Sequence, residues 1–114
     1  MNIVVIHGSP SGSRGTSAQY IAYLQQQFPE HRFEGLEVAR QIHKLERNEA
    51  YFATVVDKMV AADAIIWCYP VYVMLVSAQL KRFIELLFER LDPDALADKI
   101  STAISTSAHF YDHT

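Results

Sequence analysis

Residues 2–17 read NIVVIHGSPSGSRGTS. The first six, NIVVIH, form a β-branched run that Gly8 ends abruptly. A short run of this kind, bounded by a turn residue, reads as a buried strand of a parallel sheet. The next ten, Gly8 to Ser17, hold three glycines, five hydroxyl side chains, one proline and one positive charge. Thr16 or Ser17 stands where a helix cap is needed. Strand, glycine-rich turn and helix start together aim backbone N–H groups and the positive end of a helix dipole at one point. The expected occupant is an anion, most simply a phosphate. Ser9, Ser11, Ser13, Thr16 and Ser17 would add neutral donors. The competing reading is a flexible turn followed by an ordinary Ser/Thr cap.

Working outward, the chain repeats this alternation. Tyr20, Ile21, Leu24 and Phe28 fall at helical spacing, and Pro29 stops that helix. Residues 33–38 (FEGLEV) alternate apolar and polar and predict a second strand, weakened by Gly35. Residues 39–47 are polar and basic and predict a loop. Asn48 can cap a second helix whose inward stripe is Tyr51, Phe52, Val55, Val56, Met59 and Val60. Residues 63–69 (DAIIWCY) predict a third strand that Pro70 ends, since proline lacks the ladder donor. Ser77 can cap a third helix, with Leu80, Phe83, Ile84, Leu87, Phe88 and Leu91 as its apolar stripe. Residues 99–105 (KISTAIS) predict a fourth strand, and a polar, aromatic tail follows.

The order β-α-β-α-β-α-β predicts an α/β fold: an open parallel sheet between two helical layers, as a single domain over residues 1–114. In such sheets ligands bind beyond the carboxyl ends of the strands. The loops from Gly8 and Pro70 and the tail from Thr106 leave those ends and are expected to converge. The loop from Ala39 leaves the same edge at a neighbouring strand.

Composition narrows the function. A net charge of −3 argues against a nucleic-acid binder, which needs a basic face. The single cysteine, Cys68, excludes an internal disulfide and a zinc cluster, so no metal is expected. It suits a reducing, cytoplasmic setting. Residues 1–7 lack the basic leader of a signal peptide. Residues 64–80 carry no charge, but Pro70 interrupts them and they are short for a membrane span, so no membrane partner is expected. Cys68, inside the third strand, reads as buried packing.

Spacing then tests the phosphate ligand. A Walker loop needs Gly-Lys-Ser/Thr after four intervening residues; here Ser13 and Arg14 occupy those places. A dinucleotide loop needs G-x-G-x-x-G; the glycines at 8, 12 and 15 miss it by two positions, and Glu37 is a weak match to the ribose-binding acid. No cysteine is present for a phosphatase loop. A monophosphate cradled by amides and hydroxyls remains.

GSPSGSRGTS after the first strand, with YPVYVMLVSAQLKRFIELL after the third, resembles the flavodoxin-like NAD(P)H-dependent FMN and quinone reductases. The resemblance spans nearly the whole chain. It implies a flavodoxin-like fold, here apparently without the fifth strand and last helix. It implies FMN as cofactor and NAD(P)H as co-substrate. Hydride would pass to the flavin and electrons onward to a quinone, free flavin or similar acceptor. By position, the resemblance assigns the FMN phosphate to Ser9, Ser11, Gly15, Thr16 and Ser17. One side of the ring goes to Pro70, Val71, Tyr72, Val73 and Met74. The other goes to Thr106, Ser107, Ala108, His109 and Tyr111. A homodimer or higher homo-oligomer is also implied. A flat aromatic ring needs apolar contact and a few polar groups at its edge, and the Pro70 segment offers these. For Tyr72, Val73 and Met74 the alternative is core packing against the third helix.

His109 is the candidate for proton delivery. His7 reads as structural, and His31 and His43 as solvated. Residues 43–49 (HKLERNE), with Lys44 and Arg47, read as a solvated loop, or else as a charge partner for the phosphates of a nicotinamide cofactor. Two other functions fit the same residues: a non-enzymatic electron carrier of the flavodoxin kind, and an FMN-binding or assembly module.

Overall fold

A computed structural model of the chain describes residues 1–9, 16–71 and 78–107. Its elements are β1 (Asn2–His7), α1 (Thr16–Gln27), β2 (Arg32–Leu36), α2 (Ile42–Arg47), α3 (Glu49–Ala61), β3 (Ala64–Val71), α4 (Ala78–Arg90) and β4 (Ile100–Ser107). A short 3-10 turn, Pro93–Leu96, leads into β4. The four strands form one parallel sheet in the order β2-β1-β3-β4. This is the doubly wound, flavodoxin-like arrangement that the alternation of elements predicts.

The β-branched runs of β1 and β3 fill the centre because a parallel strand buried on both faces must be apolar throughout. Alternate residues divide between two cores. Val4, Ile6 and Ile65 pack with α2, α3 and α4, around Leu45, Phe52, Met59, Phe83 and Leu86. Ile3, Val5, Ala64, Ile66 and Cys68 pack with Ile21 of α1. The amino ends of the strands meet at Asp63. Its carboxylate accepts the Asn2 N–H at 2.8 Å, and its own N–H donates to the Asn2 carbonyl at 2.8 Å.

Four expectations need correction. Residues 42–47 are a helix, not a loop: Ile42 and Leu45 are buried three residues apart, and that spacing anchors a turn. The turn is fastened to α4. Arg82 pairs with Glu46, and the Arg90 guanidinium donates to the carbonyls of Leu45 (3.4 Å) and Glu46 (3.2 Å). Pro70 does not end β3, which pairs on with β4 through Pro70↔Thr106 and Val71↔Ser107. The Cys68 carbonyl accepts the Gly8 N–H, so Cys68 turns its polar groups toward β1. Two residues on, Pro70 turns the same way, where β1's ladder has ended and no donor is missed.

The helix stripes are narrower than expected. Tyr20, Phe28 and Val60 are exposed, and Phe88 is 85% exposed. Leu86, outside the expected stripe, is fully buried instead. The fourth correction is to the end of β2: it stops at Leu36, although Val38 beyond it is still buried. The expected Asn48 cap is present, its side-chain oxygen accepting the Tyr51 N–H at 3.0 Å. Among the described residues no helix is long and apolar enough to cross a membrane, and the uncharged stretch from Ala64 begins as strand β3.

Candidate functional site

β1 stops at His7, whereas β3 and β4 run on together for three more residue pairs: Tyr69↔Ser105, Pro70↔Thr106 and Val71↔Ser107. The carboxyl edge is therefore stepped. A two-stranded ledge stands beside the point where the first loop leaves β1. The step forms because Gly8 turns away while its N–H still caps Cys68 at 2.8 Å.

Gly8 is required there by space. A Cβ at that position would lie 2.7 Å from Leu80 Cδ2 and 3.1 Å from Tyr69 Cβ. Gly8 thus leaves the sheet pressed against the start of α4 and the root of the ledge. Ser9 follows and is buried at this edge, 6% exposed. α1 begins at Thr16 and has no acidic residue in its first turn. Its positive dipole end is not neutralised by a carboxylate of its own first turn, which suits an anion site.

The expected site residues fall as follows. Ser9 closes the described part of the first loop. Thr16 and Ser17 form the first turn of α1. Pro70 and Val71 end β3, and Thr106 and Ser107 end β4, pairing with each other across the ledge. Ser11, Gly15, Tyr72, Val73, Met74, Ala108, His109 and Tyr111 lie outside the described residues, as do Ser13, Arg14 and Ser77. The ends of β1, β3 and β4 and the start of α1 are thus brought to one edge.

One buried group at this edge was read as structural only. His7 is 7% exposed. Its ring fits a notch left by Gly35: a Cβ there would lie 2.8 Å from His7 Nε2. Burial holds its pKa below the ordinary 6.5, and the charge of Glu37 opposes that shift in part. Glu37 itself accepts from Arg40 at 3.2 Å. The signal in the sequence was Gly35, a costly residue inside a strand unless something needs its space.

The basic segment is engaged elsewhere. Lys44 stands 4.2 Å from the ring centre of Tyr51, and Arg47 ends α2. Arg82, with Glu46, Glu85 and Glu89 around it, holds its proton more tightly than usual, and its hydrogen bond holds the Glu46 carboxyl below its ordinary range. These groups tie α2 to α4 on the opposite face of the sheet. Among the described residues no set of three metal-ligating side chains comes together.

The sequence matches the NADPH-dependent FMN reductase family over residues 1–111. This chain belongs to that family. The cofactor that goes with this family is FMN. Several solved structures share the fold. An NADH:FMN oxidoreductase, EMOB, in its apo form, is 24% identical with a TM-score of 0.73, over 96% of this chain and 60% of its own. The azoreductase AzrA is 14% identical with a TM-score of 0.63, over 98% of this chain and 72% of its own. An azoreductase from Bacillus anthracis str. Sterne is 16% identical with a TM-score of 0.61, over 98% and 71%. No curated protein matches. The chain therefore spans three fifths of the EMOB chain and about seven tenths of the two azoreductases.

The described residues fit the family's cofactor. A helix start without carboxylates, a buried serine and a loop rich in hydroxyls suit a phosphate. A ledge of paired backbone, ending in Pro70-Val71 and Thr106-Ser107, stands at the same edge.

Proposed function

We propose that the stepped carboxyl edge binds FMN and that the protein is an NAD(P)H-dependent flavin oxidoreductase. Bound there, FMN would supply the chemistry, hydride acceptance from NAD(P)H and return of electrons to an acceptor. The observation that carries the reading is the step itself, where the carboxylate-free start of α1 and the β3–β4 ledge flank the end of β1.

In this reading the chain's own residues bind and orient. Ser9, Ser11, Gly15, Thr16 and Ser17 hold the phosphate through hydroxyls and amides, with the α1 dipole in place of a formal charge. Pro70, Val71, Tyr72, Val73 and Met74 line one side of the ring. Thr106, Ser107, Ala108, His109 and Tyr111 line the other. His109 is the residue placed to hold or move a proton there. The acceptor is a quinone, a free flavin or, as the names of two structural neighbours suggest, an azo compound. One domain, a homo-oligomer and a reducing cytoplasmic setting complete the proposal, and the buried thiol of Cys68 suits the last.

The test is reconstitution. Purified protein is mixed with FMN, desalted, and its absorbance spectrum recorded; NADH and NADPH oxidation is then followed with a quinone, free flavin and an azo dye. Retained flavin with turnover supports the proposal. Retained flavin without NAD(P)H oxidation favours the electron carrier instead. Protein that emerges colourless overturns both.

A further inference from the structure

Phe88 on α4 is 85% exposed and stands at an apolar groove. The groove follows from the sequence of β4. Ser101 accepts the Trp67 Nε1–H at 3.1 Å, so Ser101 faces the α4 side of the sheet. Ala103, two residues on, faces the same way. Both are exposed, and neither is large enough to fill the space up to α4. About 290 Å3 therefore stays open. It is lined by Trp67 from the sheet, by Ile84, Leu87, Phe88 and Leu91 from α4, and by Leu96 from the 3-10 turn. Small-molecule sites run from about 300 to about 1,000 Å3, so this one stands at the small end. The Trp67 N–H is already taken by Ser101, so what Trp67 adds to the groove is apolar, aromatic surface.

The charge of the groove has one sign. Asp92 is the single ionisable residue of its lining. One oxygen of that carboxylate caps the 3-10 turn, accepting the Asp94 N–H at 3.0 Å. Among the described residues Asp92 forms no ion pair. The turn itself is acidic: residues 91–98 (LDPDALAD) hold three carboxylates and no base. The bases on either side of it in the chain are engaged elsewhere. Arg90 donates to the carbonyls of Leu45 and Glu46, and Lys99 to the carbonyl of Val60. An anion is repelled here, and a neutral body leaves Asp92 unanswered. A cation with an apolar body suits both features, since Trp67 and Phe88 take the body and Asp92 the charge.

We propose that this groove is a second ligand site, for a small organic cation such as an aromatic amine. It lies on the α4 face beside the turn that leads into β4, whereas the stepped edge lies where β4 ends. Occupancy of the groove is independent of whether FMN binds.

Trp67 is the chain's single tryptophan, so its emission reports on the groove. Three probes of similar shape and different charge are titrated into the full chain at low ionic strength: phenylbutylammonium, phenylbutanol and phenylbutyrate. The cation should change the emission saturably and bind most tightly, and the anion least. The preference for the cation over the alcohol should be about two- to fivefold, the range of one exposed ion pair. Asp92→Asn keeps a side-chain oxygen to cap the turn. It should abolish that preference without weakening the alcohol, and Phe88→Ser should weaken all three probes. In the wild type alone, the Trp67 indole N–H resonance gives the same titration by NMR, which decides the matter if a variant does not fold.

Equal affinity for the three probes overturns the proposal, as does the absence of any saturable change. Emission that shifts with protein concentration alone, with a dimer in sedimentation, would mean that a second copy covers the groove, and this also overturns it. The titration is repeated with FMN present. Unchanged affinities support a separate site, and competition with FMN overturns it. Protein that retains no FMN but still prefers the cation leaves this site standing while the flavin reading fails.

Discussion

The two faces of the sheet are built differently. Among the described residues, the core that the sheet shares with α2, α3 and α4 holds fifteen buried residues, and the core that it shares with α1 holds six. The first face is aromatic and closely fitted: Phe83 contacts the rings of Phe52 and Trp67 at 6.4 Å each, and the Trp67 Nε1–H donates to Ser101 at 3.1 Å. Among the described residues the second face has one helix, a glycine in its edge strand and a buried imidazole. The heavily packed face supplies stability. The thinly packed face leaves room at its carboxyl edge for a ligand. Binding regions are commonly drawn from the less stable parts of a fold.

Substitutions on the two faces should separate these roles. Phe83→Ala removes a fully buried ring from the large core and should cost about 3–5 kcal/mol, read as a lower midpoint in urea. Ile21→Ala on the α1 face should cost nearer 2 kcal/mol, at the low end for such truncations. An equal loss at both sites would break the comparison.

Gly8→Ala is the next largest effect. The new Cβ meets Tyr69 Cβ and Leu80 Cδ2, and the second could rotate away but the first could not. About 1–3 kcal/mol of stability should be lost. FMN affinity should fall as well, because the loop would be lifted from the ledge. Unchanged affinity in a folded variant would detach the loop from the site.

The pH dependence of stability is a third test. In the unfolded chain His7 takes a proton near its ordinary 6.5, while the folded ring does so only at lower pH. The unfolded state then binds more protons, so stability falls as pH drops below 6.5 toward the folded pKa. In His7→Gln this part of the decline should vanish.

The smallest effect is expected at Phe88, which is 85% exposed and rims a groove of about 290 Å3 with Ile84, Leu87, Leu91 and Leu96. Phe88→Ser should shift stability by no more than about 0.5 kcal/mol. A larger loss would mean that the ring is covered in solution.

Much of the sheet was legible because a doubly buried strand leaves only β-branched and aliphatic residues at its centre, as in NIVVIH and AIIWC. α2 was hidden because six residues with two apolar positions give no clear period, and tertiary contacts from Arg82 and Arg90 hold it instead. Phe88 was misplaced because apolar spacing shows which residues share a stripe, not how wide a stripe the neighbouring elements cover. Pro70 was misread because its effect depends on which side of the strand is paired at that point. For the site, the loop chemistry was visible in Ser9, Thr16 and Ser17. The step between β1 and β3 was not, since it depends on strand register rather than residue type. Gly35 and His7 are 28 residues apart in the chain and become neighbours only through the pairing of β1 with β2.

Hydrogen–deuterium exchange with and without FMN tests the division between the two faces most directly. FMN should slow exchange in peptides covering residues 8–17, 69–74 and 105–111, and leave α3 (Glu49–Ala61) unchanged. Slowed exchange confined to α3 and the core around Phe83, with none at the three carboxyl-edge segments, would contradict the account.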